Sequence, residues 1–189
     1  MKLQVSIAGL IVCLSSAVAQ AQEVDLSLSD DTVLARYVMP LSYSGYGRTD
    51  AEFGVMYTES DNFLMSAGLS MIGEVGSHAP GLQGGVSIKA YGVSLDGGAD
   101  VGALTMGGKL WFVPPAMSRA GLIAQLNFGP DITTFGDAKR FWDFRARAEY
   151  EVLPEAAVYV GYRKVRATLE NSVDVDLDKG WHVGLRMSF

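Results

Sequence analysis

The stretch Trp181-His182-Val183-Gly184-Leu185-Arg186-Met187-Ser188-Phe189 ends the 189-residue sequence with a strict alternation of side chains. Trp181, Val183, Leu185, Met187 and Phe189 are large and apolar, whereas the residues between them are small or polar. A β-strand places successive side chains on opposite faces, so the pattern predicts a strand with one apolar and one polar face. A soluble sheet can show this alternation too, but a soluble chain rarely stops on it with an aromatic last residue.

The aromatic end is similar to the C-terminal signal of Gram-negative outer-membrane β-barrels, whose last strand ends in Phe. That similarity implies that Trp181, Val183, Leu185, Met187 and Phe189 form a signal for the barrel-assembly machinery. The N-terminus predicts the same destination, the cell outer membrane. Lys2 precedes an apolar run over residues 7–14 and the small-x-small site Ala19-Gln20-Ala21, which together indicate a signal peptide over residues 1–21. The apolar run is shorter than the roughly 20 residues of a membrane-spanning helix.

The composition of the chain fits export followed by insertion into a second membrane. The single Cys lies in the predicted signal peptide, so the mature domain forms no disulfide in the oxidising periplasm. A net charge of −6 argues against a nucleic-acid partner. Hydrophobic residues make up 49% of the sequence, yet they are spread by alternation rather than gathered in blocks, as in a membrane barrel.

Residues 22–189 divide into successive alternating segments of about ten residues, the length that a tilted strand needs to cross a bilayer. We count ten strands, and an even number places both termini in the periplasm. Predicted loops separate them, the longer ones at residues 42–48, 73–81, 129–140 and 170–179. The early connections fit an alternation of short and long loops poorly, so eight and twelve strands stay open as alternatives. The sequence predicts one all-β domain, an antiparallel up-and-down transmembrane β-barrel of about ten strands.

The segment around residue 146 indicates which face meets lipid. Trp142 and Tyr150 lie eight residues apart on its apolar face, which corresponds to roughly 20 Å along the barrel axis for a tilted strand. That distance approaches the roughly 25 Å apolar band between the aromatic girdles of membrane barrels. The residues predicted to be lipid-facing aromatics are Trp142, Tyr150, Phe128 and Phe112. A soluble sheet would instead bury this face.

The opposite faces of the strands carry charges of both signs, which a barrel would enclose. The predicted interior set is Arg36, Glu52, Lys89, Lys109, Asp143, Arg145, Arg147, Glu149, Arg163, His182 and Arg186. Because buried charges must be paired and a barrel of this size is narrow, we expect an interior largely filled by ion pairs. The alternative is a narrow charged path, in which the excess of Arg and Lys would favour anions.

Catalytic and metal chemistry find little support in the sequence. A hydrolase needs a His that is oriented by a carboxylate beside a nucleophile. His78 has Ser77 beside it and Glu74 nearby, whereas the neighbours of His182 form no triad in the sequence, and a structural or solvated role fits both better. Asp174, Asp176 and Asp178 fail the spacing of a calcium-binding EF-hand loop and fit a solvated acidic loop better. We therefore predict no catalytic residue, no metal site and no cofactor, and keep an outer-membrane hydrolase of lipid or peptide as the alternative class.

Several stretches of the mature chain resemble the YfaZ-type outer-membrane proteins. They are the strand at residues 107–112 (GGKLWF), the loop at residues 129–137 (GPDITTFGD), the residues 160–163 (VGYR) and the terminal Phe189. The resemblance implies an outer-membrane barrel that contacts outer-membrane lipid and lipopolysaccharide, and it brings no catalytic residues. The expected function is that of a small integral barrel with a structural or narrow-pore role.

Overall fold

A computed structural model describes residues 22–45, 47–76, 79–96, 98–169 and 173–189. The predicted signal peptide lies outside these ranges, so its cleavage stays a prediction. Within them the only helical element is a 3-10 turn at Asp131–Thr133. The described residues contain no helix that is long and apolar enough to cross a membrane.

The described chain forms eleven strands in one antiparallel sheet. They are β1 Glu23–Leu28, β2 Thr32–Ser44, β3 Gly47–Thr58, β4 Phe63–Glu74, β5 Leu82–Ser94, β6 Asp100–Phe112, β7 Ala120–Gly129, β8 Thr134–Gly136, β9 Ala138–Leu153, β10 Ala156–Leu169 and β11 Asp174–Ser188. The short strand β8 continues the line of β7 along β6, so the two occupy one position in the barrel wall. The architecture is a closed ten-stranded barrel, which confirms the predicted fold class and excludes eight and twelve strands.

Pairing between the first and last strands closes the barrel. Strands β1 and β11 pair over six residues, and beyond them the Gln22 and Phe189 backbones exchange two hydrogen bonds of 2.8 and 3.0 Å. Both described ends of the chain therefore lie at one rim, here called the terminal rim. The opposite rim, where β1 turns into β2, is called the distal rim.

Three of the predicted loops are wrong, because the strands continue through much of them. Within residues 129–140, β8 pairs with β6 and β9 already begins. Within residues 170–179, β11 begins at Asp174 and pairs with β10. The aspartates there suggested a solvated loop, but Asp174 and Asp176 both form ion pairs with Arg166 across the strands. Strands β2 and β3 likewise extend into most of residues 42–48.

The exterior and interior of the barrel reverse the pattern of a soluble protein. Met106 is 70% exposed and Trp181 is 71% exposed, whereas Asp143 and Arg163 are each 1% exposed. Large apolar side chains cover the outside of every strand, and most charged side chains of the wall point inward. An exposed apolar surface of this extent is typical of a protein surrounded by lipid.

The interior has two zones, only one of which is charged. Near the distal rim, twelve buried apolar residues pack into a cluster that we call the distal core. Its members are Leu34, Met56, Leu64, Tyr91, Val93, Val101, Ala103, Ala138, Phe141, Val165, Ala167 and Leu177. This core was not predicted from the sequence, from which ion pairs were expected throughout the interior.

Candidate functional site

The charged zone fills the middle of the barrel and its terminal side. The structure places Arg36, Glu52, Lys89, Lys109, Asp143, Arg145, Arg147, Glu149, Arg163, His182 and Arg186 on inward positions of the wall. Many of the long side chains lie beside a glycine on a neighbouring strand. Arg36 is paired with Gly54 in the strand register, and Arg147 with Gly161. A narrow barrel interior has room for a long side chain only where the facing position is small.

Asp25 is the centre of the first cluster. Its carboxylate accepts a hydrogen bond of 2.6 Å from Arg36 and further hydrogen bonds from Arg147 and the Tyr159 hydroxyl. The Arg147 guanidinium also lies 4.4 Å from the centre of the Tyr159 ring. Asp25 and Tyr159 were not predicted as interior partners, although Asp25 alternates with the apolar Val24 and Leu26.

Glu52 is the centre of a second cluster, which is formed by side chains of the neighbouring strands β3 to β6. Lys89 Nζ lies 2.5 Å from one carboxylate oxygen, and Lys109 Nζ lies 4.0 Å from the other. The Ser70 hydroxyl donates to the same carboxylate at 3.1 Å. The Glu52 carboxylate thus forms ion pairs with both Lys89 and Lys109.

Asp143 joins the charged zone to the distal core. Arg145 donates to it through Nε and Nη2 at 3.0 and 2.5 Å, and the Tyr91 hydroxyl donates to it at 2.6 Å. The Tyr91 ring lies 4.6 Å from that of Phe141 inside the distal core. The Tyr91 ring therefore packs in the distal core, while its hydroxyl group donates a hydrogen bond to the Asp143 carboxylate in the charged zone.

Arg163 is held by a carboxylate that the sequence analysis assigned to a loop. The β10–β11 register shifts between Val165 and Arg166, so that the adjacent Leu177 and Asp178 are both buried. Asp178 accepts a hydrogen bond from Arg163, which also donates to the Ser27 hydroxyl at 3.1 Å. A β-bulge of this kind reverses the alternation locally and leaves no clear signal in the sequence.

The terminal side of the charged zone is held by Arg186. Its guanidinium donates to Glu149 at 3.1 Å, lies 3.8 Å from a Glu23 carboxylate oxygen, and stands 5.7 Å from the Trp111 ring centre. Glu149 also lies 3.4 Å from Arg147, which links this group to the Asp25 cluster.

A cavity of about 20 Å³ remains between these clusters. It is lined by Asp25, Ser27, Leu34, Arg36, Lys109, Ile123, Gln125, Arg145, Arg147, Tyr159, Arg163 and His182. The volume suits one small molecule or ion of about the size of water. A peptide or a lipid does not fit.

His182 takes part in no catalytic arrangement among the described residues. The His182 ring stands 5.8 Å from that of Tyr159, and its Nδ1 has no hydrogen-bond partner that would orient it. His78 lies outside the described residues, so its role as a catalytic candidate is not addressed by the structure.

The acidic residues of β11 do not converge on a metal ion. Asp178 points inward to Arg163, whereas Asp174 and Asp176 bind Arg166 near the distal rim. The hydrogen bond from Arg166 holds the pKa of the Asp176 carboxyl below its ordinary value. Among the described residues, no group of three or more His, Cys, Asp or Glu side chains is placed to hold a metal ion.

The sequence profile of a family described as YfaZ precursor matches residues 1–189, the whole chain. The chain belongs to the YfaZ family. This membership confirms the resemblance seen in the strand and loop motifs of the sequence. No curated protein sequence matches this YfaZ-family chain significantly.

Solved structures of three membrane proteins are similar to this YfaZ-family chain at low identity. The outer membrane channel DcaP of Acinetobacter baumannii is 12% identical with a TM-score of 0.43, over 92% of this chain and 55% of that one. OmpT, an outer membrane protein of Vibrio cholerae, is 11% identical with a TM-score of 0.40, over 88% and 64%. A chain from work on in-meso crystallization of membrane proteins is 10% identical with a TM-score of 0.46, over 89% and 83%. Identities this low carry no information on activity.

Proposed function

We propose that this YfaZ-family chain is an integral barrel of the Gram-negative outer membrane whose interior is closed, and that it acts structurally rather than as a pore. The observation that carries the proposal is the distal core. Apolar side chains from opposite walls meet there across the barrel, and Phe141 at its centre is fully buried. A hydrophobic constriction excludes water and therefore ions.

The charged zone below the distal core supports a closed interior as well. Ion pairs and hydrogen bonds cross the interior between strands that are distant in sequence, as between Asp25 and Arg147 or Ser87 and Asn127. Ions that are already paired in the interior stabilise a fixed arrangement and leave little room for passing solutes. Between the ion-pair clusters only a cavity of about 20 Å³ remains, whereas a wider space of about 620 Å³ opens at the terminal rim.

The proposed lipid partners fit a groove of about 550 Å³ on the exterior near the distal rim. Trp142 and Phe144 supply its apolar floor, Arg140 and Lys164 line it with positive charge, and Arg166 there is paired with Asp174. If the termini are periplasmic, as in barrels with an even number of strands, this rim lies in the outer leaflet. Acyl chains would pack on the aromatic rings and the phosphates of lipopolysaccharide would meet the basic side chains.

The assembly partner is proposed from the last strand. Trp181, Val183 and Phe189 are among its exposed outward residues, so a barrel-assembly machine that reads the apolar face of β11 would find them accessible. A hydrolase has no feature in its favour within the described chain, because His182 faces a cavity that substrates of that size cannot enter.

Conductance of the refolded protein in planar lipid bilayers tests the closed interior. We expect the wild-type barrel to insert without producing conductance steps. The double variant Phe141→Ala with Met56→Ala removes two side chains of the distal core and should produce small steps. The matched control Phe144→Ala with Leu126→Ala truncates a paired site on the exterior and should stay silent. Conductance steps from the wild type, whether of porin size or small and anion-selective, would overturn the proposal.

A further inference from the structure

We propose that the interior cavity binds one small monovalent anion of the size of chloride. Five of the side chains that line it are basic, namely Arg36, Lys109, Arg145, Arg147 and Arg163. The one carboxylate in the lining is Asp25, which already accepts hydrogen bonds from Arg36, Arg147 and Tyr159. The space at the centre of the barrel is therefore surrounded by positive charge.

The ion pairs of the described interior leave one positive charge in excess. They join eight basic side chains, Arg36, Arg48, Lys89, Lys109, Arg145, Arg147, Arg163 and Arg186, to seven carboxylates, Glu23, Asp25, Asp50, Glu52, Asp143, Glu149 and Asp178. An uncompensated charge is costly where water is excluded. A monovalent anion in the cavity lowers this excess.

Several hydrogen-bond donors on the cavity residues lack an acceptor. Arg163 Nη2 and Gln125 Nε2 have no partner, although their residues are 1% and 3% exposed, and the Nε atoms of Arg36 and Arg147 have none either. Buried donors of this kind require an acceptor. A water molecule would accept from two of them but would bring two donors of its own. A halide only accepts, so it satisfies the surplus of donors without adding to it.

The size of the cavity restricts the class of anion. About 20 Å³ accommodates a species of about the size of water, and a chloride ion is little larger. Sulfate, phosphate and organic carboxylates are too large. The proposal is independent of whether the distal core blocks conduction, since it depends only on the geometry of the charged zone.

Crystals of the refolded barrel grown in sodium bromide provide the direct test. Bromide scatters anomalously, so we expect one anomalous peak in the cavity within hydrogen-bond distance of Arg163 Nη2 and Gln125 Nε2. Electron density for water at that position without an anomalous peak would overturn the proposal. The wild-type protein suffices for this experiment, so it does not depend on the folding of any variant.

Unfolding by urea in lipid vesicles gives a second, independent test. At matched ionic strength, the urea concentration at the unfolding midpoint should be higher in chloride than in gluconate. An anion that binds the folded barrel stabilises it, and gluconate is too large for the cavity. Gln125→Glu places a carboxylate in the cavity and should abolish both this difference and the bromide peak. The control Gln83→Glu makes the same substitution at the terminal rim and should preserve both. Equal midpoints for the wild type in the two salts would contradict the proposal.

Discussion

At the scale of single residues, the charged zone depends on a close fit between Gly184 and Tyr159. The two residues are paired in the strand register, and a Cβ atom at position 184 would lie 2.2 Å from Cζ of the tyrosine ring. The ring can therefore reach across the neighbouring strand and bring its hydroxyl to Asp25. A glycine at this position makes room for the hydrogen bond that completes the Asp25 cluster.

Gly184→Ala should destabilise the barrel because the added methyl group displaces the Tyr159 ring. Overpacking of a buried site costs about 1–3 kcal/mol, measured here as the free energy of unfolding by urea in lipid vesicles. The control is Gly180→Ala in the same strand, where a Cβ atom would meet nothing within 4 Å. That variant should be neutral or slightly stabilising, since alanine restricts the unfolded chain more than glycine does. Equal destabilisation by the two substitutions would contradict the close fit.

At the scale of one strand, β9 has an interior face and an outward face that is predicted to contact lipid. Ala146 lies outward between Trp142 and Tyr150, opposite Ala124 and Tyr162 on the neighbouring strands. Ala146→Arg should lower the free energy of unfolding in vesicles by about 2–4 kcal/mol if the residue lies at the bilayer midplane. The control Ala146→Leu keeps the site apolar and should be tolerated. Similar stability of the two variants would speak against a lipid-facing exterior.

The strands show how far alternation alone could predict the structure. A period of two assigned Asp143 and Arg145 to one face and Trp142 to the other, and the structure has them on those faces. The ends of the strands were less predictable. The stretch from Asp174 to Asp176 is acidic enough to suggest a loop. Both carboxylates are paired with Arg166 on the adjacent strand, a contact that a single strand's sequence does not reveal.

At the scale of the whole molecule, the closed barrel could be predicted from the sequence, whereas the organisation of its interior could not. Alternation tells which residues point inward but not which of them meet. Asp25 and Arg147 are 122 residues apart and become partners only when the sheet closes. The distal core could not be predicted from the alternation either. Leu34 and Met56 lie between outward residues that are also apolar, so the two faces of their strands show no contrast.

Closure itself is testable by an engineered disulfide across the pairing of β1 and β11. Leu28 and Val183 are directly opposite in the register, and residues so placed have Cα atoms about 4.5–5.5 Å apart. That separation lies within the range of a disulfide. The single native cysteine belongs to the predicted signal peptide, so no other thiol competes in the mature barrel. Leu28→Cys with Val183→Cys should therefore cross-link on oxidation, seen as altered mobility of the heat-denatured protein on a non-reducing gel.

The matched control for closure is Leu28→Cys with Val160→Cys. Val160 pairs with Val183 from the other side, so it lies two strands away from Leu28, about 9–10 Å, which is beyond the reach of a disulfide. Strand β1 is only six residues long, which makes its two pairings the shortest between full positions of the wall. A barrel that opened there would expose unpaired backbone groups to lipid, where each costs several kcal/mol. A cross-link in the first variant and none in the control is therefore the expected result, and equal cross-linking of the two pairs would contradict the register that closes the barrel.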